Sequence, residues 1–328
     1  MRLPLVRLFA LILVLSSGAF PPAAVQAADG NGREYVSLAA WAKSNGMELR
    51  WTRRDETLEL RNDAWRVVLK VDSRQAQFNG VQVWLLFPPL LERGSIRIAN
   101  LDLQTTFQPI LRPPKNARGA RVKYICLDAG HGGKDPGYCV GPNQEKKFTL
   151  LLAQELRDQL KRAGFRVTLT RSRDTYLDLT ARSGLANRRK TDLFVSLHFN
   201  ASEVSPNSIR GAQVFCLTPV GASSTNSRSE ARETRWYPGH RNDSKNLLLA
   251  YRTQKALLEN LGVDDHGVRR ARFAVLRDAR MPAVLIEAGF MSNPAEGRKI
   301  LTEAYREQIA RAIVQGLCAY KRLVEPGG

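Results

Sequence analysis

Apolar and polar residues alternate in short runs through the first third of the chain. Alternation with a period of two predicts half-buried strands, and Asn79-Gly80 between two apolar runs predicts a tight hairpin. Ser37 is a candidate N-cap for a short helix. The predicted strands fall at 47–51, 57–60 and 65–71, and the predicted helices fall at 37–44 and 99–107. This part of the chain is therefore predicted to be a small α+β, mainly β domain.

From residue 121 the pattern changes, because buried strands now alternate with amphipathic helices. Such alternation predicts an α/β fold with an open, mostly parallel sheet flanked by helices. Ligands of such sheets bind at the carboxyl ends of the strands. The predicted strands fall at 124–128, 167–169, 192–198, 212–217 and 283–287, and the predicted helices fall at 148–160, 244–261 and 303–323.

Three boundaries follow from composition. The Pro/Gly/basic stretch 113–120 is predicted to be a linker between a small domain over 33–112 and a larger domain over 121–325. Residues 1–27 carry two arginines before a short apolar stretch and end in small residues, which is typical of a secretory signal peptide. An uncleaved membrane anchor is the alternative, although the apolar stretch is shorter than the roughly 20 residues that span a bilayer. Later in the sequence, no stretch is long and apolar enough to cross a membrane.

Composition describes a globular chain with an unusual charge. The 328 residues are 43% hydrophobic, and 50 Lys+Arg against 31 Asp+Glu give a net charge of +19. Removing residues 1–27, which carry two arginines and no acidic residue, leaves +17, of which +13 lies in 121–328. This excess favours an acidic polymer as partner, and export makes nucleic acid a poor candidate. A dispersed, solvated surface charge is the alternative interpretation.

The four cysteines are widely spaced, without the Cys-x-x-Cys spacing of a metal site or redox pair. We expect buried thiols at Cys126, Cys216 and Cys318, because each lies within an apolar run. A disulfide is compatible with export, but the sequence does not give its connectivity.

Four polar side chains stand at predicted strand or helix ends on one edge of the larger domain. His131 follows the first strand in a glycine-rich loop, His198 and Glu287 each end a strand, and Glu145 begins a helix. Two imidazoles and one carboxylate form a common catalytic zinc set, and a second carboxylate can transfer protons. Each residue alone is explained by a structural role, but their coincidence favours a site. The pattern leaves open which glutamate is the ligand. His240 and His266 are interpreted as non-catalytic loop residues.

Residues 121–323 resemble the zinc-dependent N-acetylmuramoyl-L-alanine amidases that cut bacterial peptidoglycan. The motifs are 127–137, Glu145-Lys146, 192–198 and 282–293. The resemblance implies that His131, Glu145 and His198 bind Zn²⁺, that Glu287 is the catalytic carboxylate, and that peptidoglycan is the substrate. It also implies a protein of the periplasm or of the extracellular cell wall, without naming an activator.

The smaller domain resembles the N-terminal domain of copper amine oxidases, a stalk or attachment module of exported bacterial proteins. Copper binding is not expected, because residues 33–112 contain no His and no Cys. Trp41, Trp51 and Trp84 could form a sugar-stacking face, but large aromatics in a small β domain are more often core residues.

Alternatives stay open for the role of segment 219–245 and for the function of the whole chain. Segment 219–245, with Glu230 and Glu233, stands where some relatives carry an autoinhibitory helix, and a plain surface loop is the favoured interpretation. A zinc peptidase or deacetylase acting on another wall amide, or an inactive wall-binding protein, would fit the same residues, because a zinc site does not specify its substrate. A nucleic-acid binder is disfavoured, because no groove-reading motif is present.

Overall fold

The computed structural model describes residues 27–28, 33–226 and 233–326. Residues 1–26 of the predicted signal peptide lie outside the described residues. Within the described ranges, no helix is both long and apolar enough to span a bilayer.

The N-terminal domain is a meander of short strands with a helix at each end. Its strands are β1 (Ala27–Ala28), β2 (Glu34–Ser37), β3 (Glu48–Arg53), β4 (Thr57–Arg61), β5 (Arg66–Lys70), β6 (Gln75–Phe78), β7 (Val81–Trp84), β8 (Leu90–Glu92) and β9 (Ser95–Ala99). Its helices are α1 (Leu38–Ser44), α2 (Asn100–Asp102), a π-helical stretch (Leu103–Phe107) and α3 (Gln108–Leu111).

Two local predictions for this domain are confirmed. Asn79 and Gly80 join β6 to β7 with φ angles of +47° and +83°, and positive φ at both central residues is the requirement of a type I′ hairpin turn. The Ser37 side chain accepts a hydrogen bond from the Ala40 N–H at 3.3 Å and so caps α1.

The larger domain alternates strands and helices as predicted. Its strands are β10 (Tyr124–Ala129), β11 (Cys139–Val140), β12 (Asn143–Gln144), β13 (Arg166–Leu169), β14 (Leu193–Asn200), β15 (Ala212–Leu217), β16 (Asp265–Ala271) and β17 (Ala283–Phe290). Its helices are α4 (Glu145–Arg162), α5 (Leu179–Arg188), a 3-10 turn (Pro238–Asn242), α6 (Asp243–Leu261), α7 (Ala274–Arg277), α8 (Pro294–Ile300) and α9 (Glu303–Val324).

One sheet runs through both domains. Among the described residues it has 11 strands in the order β13-β10-β14-β17-β15-β16-β7-β6-β5-β4-β3. Strands β13, β10, β14 and β17 are parallel, β15 is antiparallel to β17, and β16 is parallel to β15. Helices α4, α6 and α9 pack on one face and α5 and α7 on the other. The α/β fold class is confirmed. The sheet is mixed, and its parallel strands include β14 and β17, which carry His198 and Glu287.

The two domains share a junction rather than standing apart. Strand β7 pairs with β16 at Val83 and Val268. The Gln82 N–H donates to Asp265 Oδ2 at 2.7 Å, and the Trp84 indole N–H donates to the His266 carbonyl at 3.1 Å. One apolar core contains residues from both sides. The N-terminal domain therefore extends the sheet of the larger domain, and it is not a separate stalk.

The predicted linker is also held against the larger domain. The Asn116 N–H donates to the Val324 carbonyl at 2.7 Å, and its side-chain oxygen accepts from Lys245 Nζ at 2.7 Å. Residues 113–120 form neither helix nor strand, as expected of a connection. The boundaries 33–112 and 121–325 stay a prediction, and the linker between them is not a free spacer.

His266 is a correction to the sequence analysis, because it lies in β16 and not in a loop. The strand Asp265–Ala271 carries polar side chains that contact the N-terminal domain, so the usual alternation of apolar residues is missing. The Asp265 carboxylate bonds to the Gln82 N–H, and the Arg270 guanidinium bonds to the Thr105 carbonyl.

The buried positions expected for Cys126 and Cys216 are confirmed, whereas Cys318 is less buried than expected. Trp41 is buried in the core and Trp51 packs against it, whereas Trp84 lies at the junction. All four cysteines are free thiols: Cys126 and Cys216 are buried, Cys318 is half-buried and Cys139 is exposed.

Gly267 offers a test of the junction. It has a φ of +83°, and a Cβ there would lie 2.8 Å from the Gln82 carbonyl oxygen. Gly267→Ala is expected to lower the free energy of unfolding in urea by about 2–4 kcal/mol, because it adds a clash to the roughly 1–2 kcal/mol cost of a left-handed alanine. Gly262→Ala is the matched control, with a φ of +60° and no atom within 4 Å of its Cβ. Equal losses in both variants would contradict this junction.

Candidate metal centre

The His131 loop is bent so that the imidazole turns back over the sheet edge. His131 follows β10 and has a φ of +60°, a left-handed conformation that costs about 1–2 kcal/mol in a residue with a Cβ. Contacts on both sides hold this conformation. The Arg182 guanidinium donates to the His131 carbonyl at 2.8 Å, and His131 Nδ1 lies 2.8 Å from Asp135 Oδ2. The Asp135 contact leaves His131 Nε2 directed toward Glu145.

Two glycines allow the backbone to approach the polar side chains. A Cβ on Gly130 would lie 2.3 Å from the His198 ring, and a Cβ on Gly137 would lie 2.7 Å from Glu145 Oε2. Real Cβ atoms do not approach other atoms so closely. The glycine-rich sequence around His131 is therefore required by the packing of the site.

Glu145 joins the two histidines. The buried carboxylate stands at the start of α4 and accepts hydrogen bonds from the Tyr138 and Phe199 N–H groups, each at 3.0 Å. Its oxygens lie 3.1 Å from His131 Nε2 and 3.1 Å from His198 Nδ1. The ligand atoms of the three residues all lie within 4.8 Å of one another. The structure thus brings together three of the four residues that the sequence pointed to.

This donor set fits a zinc ion. Zinc with bonds of about 2.0–2.1 Å keeps its ligand atoms within about 4.2 Å of one another, and one ligand atom from each of the three residues lies within 4.8 Å of the other two. A further carboxylate often orients a metal-binding histidine through its second ring nitrogen, and Asp135 has that relation to His131. Two imidazoles and one carboxylate would leave a coordination position open for reaction.

The charges in the cluster favour an ionised Glu145. Burial alone raises the pKa of Glu145, but the hydrogen bonds from His131 and His198 outweigh burial and lower it well below its ordinary value. Burial lowers the pKa of His131, whereas Glu145 and Asp135 raise it above its ordinary value. The cluster therefore pairs one carboxylate with two imidazoles, and a divalent cation would replace the protons between them.

Glu287 stands beside this group without joining it. It lies on β17 directly opposite His198 on β14. Its Oε2 atom is shielded from solvent and has no hydrogen-bond partner within the described part of the chain. Burial raises the pKa of Glu287 to about 7, the range in which a carboxylate can both accept and donate a proton. The geometry thus places Glu145 within the group formed with His131 and His198 and leaves Glu287 outside that group.

A buried ion pair supports the His131 loop. Arg182 on α5 donates to Asp128 Oδ1 and to the Ala129 carbonyl, each at 2.9 Å, and is 2% exposed. Asp128 also accepts from the Ser196 hydroxyl at 2.8 Å. No role was predicted for this pair from the sequence. The carboxylate of Asp128 ends the otherwise apolar run 124–128 and indicates a polar contact there, but the identity of its partner depends on the fold.

Arg182→Met is expected to lower the free energy of unfolding by about 3–5 kcal/mol, because it leaves Asp128 as an uncompensated buried charge. The measurement is urea denaturation followed by circular dichroism. Arg188→Met removes the same charge from an exposed position on the same helix and should change the free energy by less than about 0.5 kcal/mol. If the two variants lose equal stability, the buried pair does not support the loop.

The other predicted histidines lie outside the metal group. His240 Nδ1 accepts from the Tyr237 N–H, and its Nε2 faces the Thr218 carbonyl at 3.0 Å. His266 Nε2 faces the Arg210 carbonyl at 2.7 Å. Hydrogen bonds to the backbone are what a structural histidine makes, which agrees with their interpretation as non-catalytic.

Segment 219–245 begins at the end of the sheet opposite to His131, Glu145 and His198. Strand β15 runs antiparallel to β17, and its first part lies opposite Glu287, so the chain reaches Pro219 at the far end. Glu233 accepts a hydrogen bond from the Arg235 N–H there. Residues 227–232, with Glu230, lie outside the described residues. The described part favours a surface loop over an element that covers the site.

Comparison with known proteins identifies the larger domain. The family model described as N-acetylmuramoyl-L-alanine amidase matches residues 125–319, and that of the copper amine oxidase N-terminal domain matches residues 18–106. The chain belongs to the N-acetylmuramoyl-L-alanine amidase family. Both sequence resemblances are therefore confirmed.

Three relatives show the extent of the similarity to this amidase family. The N-acetylmuramoyl-L-alanine amidase AmiC of Neisseria meningitidis serogroup B is 37% identical over 251 residues, covering 70% of this chain and 58% of AmiC. A crystal structure of an amidase from Clostridium difficile 630 matches with a TM-score of 0.51 and 31% identity, covering 61% of this chain and 97% of that one. The CwlD amidase of Clostridioides difficile, solved in complex with the GerS lipoprotein, matches with a TM-score of 0.50 and 29% identity, covering 60% and 98%. The chain thus spans little more than half the length of the Neisseria relative.

Proposed function

We propose that this chain is a zinc-dependent hydrolase that cleaves the amide between N-acetylmuramic acid and L-alanine in peptidoglycan. The observation that carries the proposal is the His131, Glu145 and His198 donor set, with its atoms within 4.8 Å, beside a carboxylate oxygen of Glu287 that has no hydrogen-bond partner among the described residues. Membership of the amidase family supports the choice of amide bond.

The proposed chemistry divides the work between the ligands and Glu287. When bound, zinc would supply a Lewis acid that polarises the scissile carbonyl and makes water a better nucleophile. Glu287 would take the proton of the attacking water and deliver it to the nitrogen of the departing amine. The Glu287 side chain reaches this role from β17, whose pairing with β14 fixes its position relative to His198.

The support around the ligands would keep their geometry constant during the reaction. Asp135 holds the His131 ring through Nδ1, and two backbone N–H groups hold the Glu145 carboxylate. Such preorganisation lowers the cost of reaching the transition state, because fewer groups must reorient.

We further infer export to the periplasm or the cell wall, on the strength of the signal-like residues 1–27 and the net charge of +19. Peptide stems of peptidoglycan carry carboxylates, and long-range attraction to an anionic polymer raises its local concentration. No nucleic-acid partner and no membrane span after signal cleavage are proposed.

Digestion of purified sacculi tests the proposed function against its alternatives. Identifying the new amino terminus among the products should give L-alanine, whereas a new terminus within the stem would show a peptidase. Release of acetate would show a deacetylase. If the metal-loaded chain alone gives no product but cell extract restores release, the chain needs an activator. If no product appears in either case, a wall-binding protein remains.

A further inference from the structure

A cleft opens where the N-terminal domain meets the larger domain, away from the metal centre. We call it the junction cleft and define it by Arg33, Arg74, Trp84, Phe87, Ser223 and Arg269. Its volume is about 650 Å³, within the range of roughly 300–1,000 Å³ typical of ligand sites. Strand β16, which carries Arg269, is separated from β17 and Glu287 by β15. The junction cleft and the metal centre are therefore different places on one sheet.

The junction cleft concentrates positive charge. Its three arginines come from separate parts of the fold: Arg33 precedes β2, Arg74 precedes β6, and Arg269 lies in β16. Among the residues that the structure describes, no acidic side chain lines the cleft. The nearby carboxylate of Asp102 is fully buried and already accepts hydrogen bonds from the Leu86 and Phe87 N–H groups. Burial, and then the charge of Arg74, lower the pKa of Arg269. An anion in the cleft would relieve this repulsion.

The guanidinium groups of Arg74 and Arg269 are held in place by contacts that use only some of their N–H donors. Arg269 stacks over the Trp84 ring at 4.4 Å, and its Nε donates to the His266 carbonyl at 3.2 Å. Its two terminal nitrogens have no hydrogen-bond partner within the described ranges of the chain. Arg74 donates from Nε to the Leu85 carbonyl at 2.8 Å and from one terminal nitrogen to the Ser223 carbonyl at 3.3 Å. Stacked, fixed guanidinium groups bind carboxylates well, because little side-chain entropy is lost.

The shape of the cleft favours an extended ligand over a small ion. A neighbouring hollow of about 320 Å³ is also lined by Arg33 and Phe87, so it adjoins the junction cleft. Arg33 stacks on the Phe87 ring at 4.5 Å. Glu34 lies in the neighbouring hollow, where its carboxylate accepts from the Asn100 amide at 3.0 Å. Arginine donors alternating with aromatic rings suit a chain that presents carboxylates along sugar or peptide surfaces.

We propose that the junction cleft binds a carboxylate-bearing glycopeptide segment of the wall, at a second site separate from the metal centre. The identity of this ligand rests on the proposed function, whereas the anion site rests on the charge and the fixed positions of Arg74 and Arg269. A second contact with the same polymer would hold the metal centre close to its substrate, since linked binding events raise the effective concentration of the second.

Trp84 gives a direct signal from the cleft. The experiment follows the indole N–H resonance of Trp84, assigned with Trp84→Phe, in the full chain carrying Glu287→Gln to prevent turnover. Soluble disaccharide-tetrapeptide fragments of peptidoglycan are the probe. We expect a saturable shift of this resonance, with an apparent Kd raised at least about tenfold by Arg269→Gln or by Arg33→Gln. Arg61→Gln removes the same charge from exposed β4 outside the cleft and should leave the Kd unchanged.

Fragments whose carboxylates have been converted to amides should bind at least about tenfold more weakly. An absent shift, or a Kd that neither arginine variant nor amidation changes, overturns the proposal. Arg33→Gln keeps the test decisive if Arg269→Gln fails to fold. Hydrolysis of the same fragments by the chain with Glu287 intact is measured in parallel. Binding without hydrolysis would contradict the proposed function and support the anion site. Hydrolysis without the Trp84 shift would support the proposed function and contradict the anion site.

Discussion

Glu287→Gln is expected to reduce the release of stem peptides from sacculi by at least about 10³-fold while leaving bound zinc unchanged. The amide has nearly the size of the carboxylate but cannot accept the proton of the attacking water. General acid–base catalysis contributes about 10²–10⁴-fold, and one glutamate acting at both proton transfers belongs in the upper part of that range. The assay is chromatography of released peptides, with metal measured by mass spectrometry on the same sample.

Glu203→Gln is the matched control for this loss. It removes the same charge from an exposed position in the loop that follows β14, the strand of His198. Activity should stay within about twofold of the unsubstituted chain. Full activity of Glu287→Gln would remove Glu287 from the mechanism. Loss of zinc together with activity would make Glu287 a metal ligand instead of the proton carrier.

The strands that carry His198 and Glu287 could be predicted because their environment is simple. Each strand is covered on both faces, which leaves a nearly continuous apolar run in the sequence, and the polar residue that follows this run is conspicuous. The structure extends β14 to Asn200 and β17 to Phe290, so both residues lie within their strands and not at the predicted ends. The hairpin at Asn79-Gly80 and the Ser37 cap were predictable for a similar reason, since each depends on a few neighbouring residues.

Contacts between distant parts of the chain were not predictable in this way. Strand β16 lacks the alternation of a strand because Asp265 and Arg270 bind the N-terminal domain, and nothing local to their sequence indicates those partners. Asp128 signalled a buried charge, but its pairing with Arg182 depends on how α5 packs against the sheet. The π-helical stretch Leu103–Phe107, within the predicted helix 99–107, is another case of tertiary context changing a local preference.

The junction also changes the interpretation of the N-terminal domain. A stalk attached by a free linker would leave the catalytic domain independent of it. Here β7 covers the edge of β16, and an exposed strand edge of that kind would otherwise pair with other chains. The Tyr251 hydroxyl on α6 donates to the Phe78 carbonyl at 3.0 Å, so the helix layer also spans the boundary. The N-terminal domain thus extends the sheet that positions His198 and Glu287.

His198→Ala is expected to lower bound zinc from about one ion per chain to well below that and to abolish stem-peptide release. The substitution removes one of three donors, and loss even of an outer contact to a ligand costs about 10–100-fold in affinity. Zinc is measured by mass spectrometry after dialysis against metal-free buffer. His266→Ala is the control, because it removes the same side chain from β16 outside the donor set and should keep both zinc and activity. The combination separates the roles: Glu287→Gln keeps zinc and loses activity, whereas His198→Ala loses both. A zinc content of His198→Ala equal to that of the unsubstituted chain would exclude His198 from the ligand set. Glu145 and His131 would then bind the ion with a different third residue.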